Sequence, residues 1–101
     1  MEKVIRDGKV AVLYSPGYGI GWYDERHPER LFDPNIVAMI EARQHDQIEA
    51  YCKTVYGADQ YWGGVRNLKI EWIPVGAKFR IHEYDGCESI EYEHDPDWLV
   101  A

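Results

Sequence analysis

The stretch Leu68-Lys69-Ile70-Glu71-Trp72-Ile73-Pro74-Val75-Gly76-Ala77-Lys78-Phe79-Arg80-Ile81-His82-Glu83 decides the fold. Leu68, Ile70 and Trp72 alternate with Lys69 and Glu71, the two-residue period of a half-buried strand. Pro74-Val75-Gly76 turns the chain, and Phe79 and Ile81 then alternate with Lys78, Arg80 and His82. Asp85-Gly86 marks a second turn, after which Ser89, Glu91 and Glu93 oppose Ile90 and Tyr92. The pattern predicts a three-stranded antiparallel meander with one apolar and one charged face. In it, Lys78 and Arg80 would stand between Glu71 and Glu91 or Glu93, as opposite charges across strands favour. An apolar sheet face needs a cover.

Upstream of the meander the period changes to that of helices. Asp33 offers a side-chain cap and Pro34 suits the first helical position, with Ile36, Val37, Met39 and Ile40 giving an apolar side. Asp46 with Glu49 has capping-box spacing, followed by Ile48, Tyr51, Cys52 and Val55 on one face and Gly57 as a stop. The two segments form either a helical hairpin or one helix bent near His45. Near the start, Asp7-Gly8 between apolar runs signals a hairpin of residues 3–6 and 9–14. Val10-Ala11-Val12-Leu13 is apolar throughout, which places the second of these strands centrally. The expected fold is α+β: a mostly antiparallel sheet of four to five strands with one or two helices packed on one face, one domain over residues 1–101.

Composition narrows the function classes. The 101 residues carry a formal net charge of −7. That charge disfavours direct nucleic-acid binding and favours a partner with a basic surface. The charged start, Glu2-Lys3 and Arg6-Asp7, does not read as a signal peptide, and no apolar run reaches the ~18 residues of a membrane helix. Cys52 and Cys87 are too few for a disulfide scaffold and read as reduced thiols. The expected location is therefore cytoplasmic, away from membranes.

Two segments hold the candidate sites. Gly17, Gly19 and Gly21 cannot sit in a helix, and the long polar stretch from Ser15 to Asp33 reads as a loop presenting Tyr18, Trp22 and Tyr23. Aromatics on a glycine-rich loop suit a protein interface, a phosphate-binding loop or simple packing. The spacing fits neither the dinucleotide fingerprint nor a Walker loop. The second segment, from Glu83 to Asp97, contains Glu83, Asp85, Glu88, Glu91, Glu93, Asp95 and Asp97 with no Lys or Arg among them. It reads either as a partly paired, solvated face or as a surface for a basic partner. Glu88, Glu91, Glu93 and Asp95 are the candidates for partner contact.

Metal and catalytic constellations are weak. His27, His45, His82 and His94 lack zinc spacing, the calcium-loop pattern is absent, and no cofactor motif is present. Cys52 falls on the inward helix face, Ser15 lacks a nucleophile elbow, and Glu83 on the inward register of its strand is a candidate buried acid. No catalytic or metal residue is assigned, and no enzyme activity is expected.

Tyr14-Ser15-Pro16-Gly17-Tyr18-Gly19-Ile20-Gly21-Trp22, Leu31-Phe32-Asp33-Pro34 and Lys78–Gly86 with Glu88-Ser89-Ile90-Glu91 together resemble small uncharacterised proteins of bacteriophages and prophages. The resemblance runs from about Val10 onward. It implies an accessory protein made in the bacterial cytoplasm, of a kind that includes inhibitors of host defence such as CRISPR inhibitors. The function expected on these grounds is that of a non-enzymatic inhibitor, monomer or homodimer, occluding a basic, nucleic-acid-binding site on a host protein. Two other readings stand beside it: a nucleotide binder using the Gly17–Tyr23 loop, and a homo-oligomeric structural protein of the virion.

Overall fold

A computed structural model describes residues 3–16, 21–59, 62–84 and 87–92. The fold is α+β, with five antiparallel strands in two sheets and two α-helices. Strands β1 (Ile5–Arg6) and β2 (Lys9–Tyr14) form the expected hairpin. Asp7 and Gly8 both adopt positive φ, at 51° and 75°, the requirement of the tight turn that matches strand twist.

Strand β3 (Lys69–Pro74) pairs with β2, not with the strand that follows it. The register runs from Lys9↔Pro74 to Tyr14↔Lys69, giving the order β1-β2-β3. Strands β4 (Phe79–Tyr84) and β5 (Cys87–Tyr92) form a separate hairpin. The three-stranded meander is thereby corrected. Its cause lies in β2, where Ala11, Val12 and Leu13 are all 0 % exposed. Successive strand residues face opposite ways, so β2 is covered on both faces and is a central strand. The two residues of β1 pair only with Lys9 and Val10, and β3 supplies the full-length neighbour on the other edge. Of the expected charge pairing, among the described residues only Arg80 with Glu91 forms, at 2.9 Å across β4–β5; Glu71 lies opposite Val12 in the other sheet, and Glu93 lies outside the described residues.

Helix α1 (Pro34–Glu41) starts as its sequence requires. The Asp33 carboxylate accepts from Asn35 N at 2.9 Å and Ile36 N at 3.3 Å. Helix α2 (Ile48–Val55) does not open on the expected capping box. A 3-10 turn, His45–Gln47, precedes it, and no side chain caps it. Arg43 at φ 59° ends the first helical segment, so the two are separate helices. Gly57, at φ 121°, follows α2 where a stop was expected. Asp33 also joins the helices, because the Tyr51 hydroxyl donates to it at 2.8 Å and the Tyr56 hydroxyl donates to it as well. A bidentate Arg6–Glu41 pair ties β1 to the end of α1.

The core collects Val12 and Leu13 from β2, Ile36 and Val37 from α1, Ile48 and Cys52 from α2, and Val65, Leu68 and Ile73. Contacts to the larger sheet come from α1 on β3, from a 3-10 turn (Pro28–Phe32) on β2, and from β5. No helix among the described residues is long and apolar enough to cross a membrane. The expected turn at Asp85-Gly86 lies outside the described residues.

Candidate functional site

Glu88 joins the two sheets. It sits on β5 with Ile90 on the same register, and that face turns inward, leaving the carboxylate 2 % exposed. Its Oε1 accepts from Ser15 N at 2.8 Å, and its Oε2 accepts from Trp22 N at 2.8 Å and Tyr23 N at 2.7 Å. The Glu88 backbone N–H donates to Ser15 O at 2.8 Å. One side chain thus holds both flanks of the glycine loop. Glu88 is corrected from a surface acid to an internal one. Glu83, the candidate buried acid that its strand-end position also left open to water, is exposed, and the two are cross-strand partners. A buried carboxylate requires donors, and the loop amides offer them to β5, not to β4.

The loop flank is fixed from a second side. Ser15 Oγ donates to Gly64 O at 3.1 Å. A Cβ at Gly64 would stand 2.7 Å from Gly21 O, so only glycine allows this approach of the two backbones. Gly64 belongs to a 3-10 turn, Gly63–Asn67, that follows Trp62.

Trp22 is buried at 4 % exposure, which corrects its reading as an exposed interface aromatic. Its indole N–H donates to Arg30 O at 3.0 Å. The Arg30 guanidinium, 5 % exposed as a residue, lies 4.8 Å from the Trp62 ring, 5.0 Å from Tyr56 and 5.9 Å from Trp22. This is an aromatic cage around the chain's own cation. Asp24 stands 3.9 Å from Arg30 and accepts from Arg26 through both side chain and backbone. Those Arg26 hydrogen bonds, with the nearby positive charges, hold the Asp24 carboxyl below the usual carboxylate range.

Beside the cage lies an open cleft of about 760 Å³. It is lined by the segment Gly21–Arg26, by Arg30, by Trp62, Gly64 and Val65, and by Ile81 and Glu83 of β4. Tyr23 is 42 % exposed there. Glu25 and Glu83 are exposed and have no ion-pair partner among the described residues. Of the predicted site residues, Trp22, Tyr23 and Glu88 are thus brought together. Glu91 does not line the cleft and is paired with Arg80. Tyr18, Glu93 and Asp95 lie outside the described residues.

The nucleophile candidates are occupied or protonated. Ser15 is buried on its carbonyl partner. Burial pushes the Cys52 thiol up to about 12, with the Asp33 charge adding to the effect. Cys87 donates to Pro16 O at 2.7 Å, and both cysteines are unbridged. Among the described residues no group of three or more His, Cys, Asp or Glu could hold a metal.

Arg30 and Trp62 escaped the sequence reading. Their placement depends on contacts between segments about 30 positions apart, which no local period reports. Glu88 carried a signal, its register shared with Ile90 and Tyr92, but the surrounding charge masked it.

No protein family, curated protein or solved structure matches this chain.

Proposed function

We propose that this chain is a non-enzymatic binding protein that occludes a basic surface on a partner protein, reading it through the cleft of Tyr23, Glu25 and Glu83. The observation that supports this is the pair of exposed carboxylates, unpaired among the described residues, that line one cleft with aromatic residues beside them. A lysine or arginine side chain entering there meets charge from Glu25 and Glu83 and a ring face from Tyr23. The net charge of −7 adds long-range steering toward a positive partner. The resemblance to phage accessory proteins supports a bacterial host protein, with a nucleic-acid-binding site, as that partner.

The nucleotide reading is weaker on a specific ground. The amides of Ser15, Trp22 and Tyr23, which flank the glycine loop, already serve Glu88. A phosphate at those amides would have to displace a buried carboxylate.

The test is a pull-down from bacterial lysate at low and high salt, comparing the native chain with the Glu25→Gln/Glu83→Gln variant. The expected result is a basic protein retained at low salt by the native chain and lost by the variant. Equal retention by both would refute the assignment of the cleft.

A further inference from the structure

Between Gln60 and Ile70 the sequence contains Arg66 and Lys69 but no Asp or Glu, a local reversal of sign in a chain of net charge −7. In the fold this segment borders a second cleft of about 760 Å³, distinct from the first. Arg66, Asn67, Lys69 and His45 line it together with Ile40 and Ile70, and among the described residues no carboxylate does. Arg66, Asn67 and Lys69 are exposed, and neither cation has an ion-pair partner among the described residues. His45 Nε2 lies 3.3 Å from Leu68 O. A carbonyl only accepts, so that nitrogen carries the proton and the ring is held against the cleft wall.

We propose that this cleft binds a small molecule with a phosphate group and an apolar body. Two permanent positive charges suit a dianionic group better than a single carboxylate. Arginine supplies a planar fork of donors, lysine a point charge, and the Asn67 amide a further donor. Ile40 and Ile70 offer an apolar wall for the rest of the ligand. The volume lies within the range of small-molecule sites. A chain this acidic repels anions at a distance, so an anion binds only where cations are gathered without acids, as they are here. The site is independent of the acidic cleft and of the function proposed for it.

The experiment uses the full chain and phenyl phosphate, followed by backbone amide NMR shifts. Inorganic phosphate, benzoate and phenol serve as comparison probes. The expected result is saturable shifts at His45 and Arg66–Ile70, with phenyl phosphate tighter than each of the other three. Arg66→Gln/Lys69→Gln should weaken phenyl phosphate about tenfold or more, the scale of losing charge-assisted hydrogen bonds. Both side chains are exposed, so the variant should keep the native amide spectrum elsewhere. Arg80→Gln, an exposed arginine on β4, should leave the affinity unchanged. The proposal is overturned by equal binding in the double variant, by equal loss in Arg80→Gln, or by no saturable shifts at millimolar phenyl phosphate. Benzoate or phenol binding as tightly as phenyl phosphate would remove the phosphate assignment, and shifts confined to Tyr23–Arg26 would remove the site.

Discussion

Replacing Glu88 with alanine leaves the N–H groups of Ser15, Trp22 and Tyr23 without their acceptor. Ser15 and Trp22 are buried, and Tyr23 reaches solvent. Hydrogen bonds to a charged group contribute about 1.5–3 kcal/mol each. The Tyr23 amide can regain water, and the freed cavity can admit some, so the three do not add in full. A loss of about 3–5 kcal/mol is expected, a large share of the roughly 5–15 kcal/mol that stabilises a domain of this kind. Glu88→Gln should be nearly as damaging. The carboxylate serves donors with both oxygens, so the amide NH₂ of glutamine must face an N–H whichever way it turns. Urea denaturation supplies the free energy, and amide hydrogen exchange at Ser15, Trp22 and Tyr23 supplies the location. Formate should restore part of the stability of Glu88→Ala by returning a carboxylate to the cavity. A loss below about 1 kcal/mol, with exchange at those amides unchanged, would refute the role given to this carboxylate.

Other expectations follow from the same contacts. Gly64→Ala forces a methyl group onto the Gly21 carbonyl and should destabilise by about 1–3 kcal/mol in the same denaturation assay. Asp33→Ala removes the cap of α1 and the acceptor of two tyrosine hydroxyls, and should cost about 2–4 kcal/mol; Tyr56→Phe should cost about 1 kcal/mol. Because the folded Cys52 thiol titrates near 12 against an ordinary 9.0, folding favours its protonated form. Its contribution to stability is complete below pH 9 and is lost as pH rises toward 12, which Cys52→Ala in a high-pH denaturation series would remove. At neutral pH Cys52 should react with a thiol reagent only on unfolding, and mass mapping of the labelled peptide checks this.

Features written in a few adjacent residues were legible in the sequence. Asp7-Gly8 specified the first hairpin, Asp33-Pro34 the start of α1, and four apolar residues the centrality of β2. The alternation of residues 68–83 gave the strands but not their partners, because period 2 fixes which face a side chain takes and says nothing of which edge is met. β3 therefore paired with a strand far upstream. The candidate buried acid fell within the correct hairpin but at Glu83, directly across the strand pair from its actual place at Glu88. Register alone allows both; the loop amides choose. Likewise the sequence left Trp22 open between packing and an interface, since its cover comes from Arg30, Tyr56 and Trp62. Glu25 and Glu83, which line the first cleft, come together only in three dimensions.

The pairing of β2 with β3 has a consequence for how the chain reaches this structure. Its partners are separated by 55 positions, from Tyr14 to Lys69, and by 65, from Lys9 to Pro74. The hairpins β1–β2 and β4–β5 and both helices close locally and can form early. The central ladder cannot nucleate until a long intervening segment has been ordered, and the entropy of that closure is lost before its contacts return anything. The larger sheet is thus expected to complete last. During synthesis, β2 leaves the ribosome with the whole of its β3 edge unpaired, so the interval before residue 74 emerges is when this acidic chain most needs its charge to stay apart from its copies.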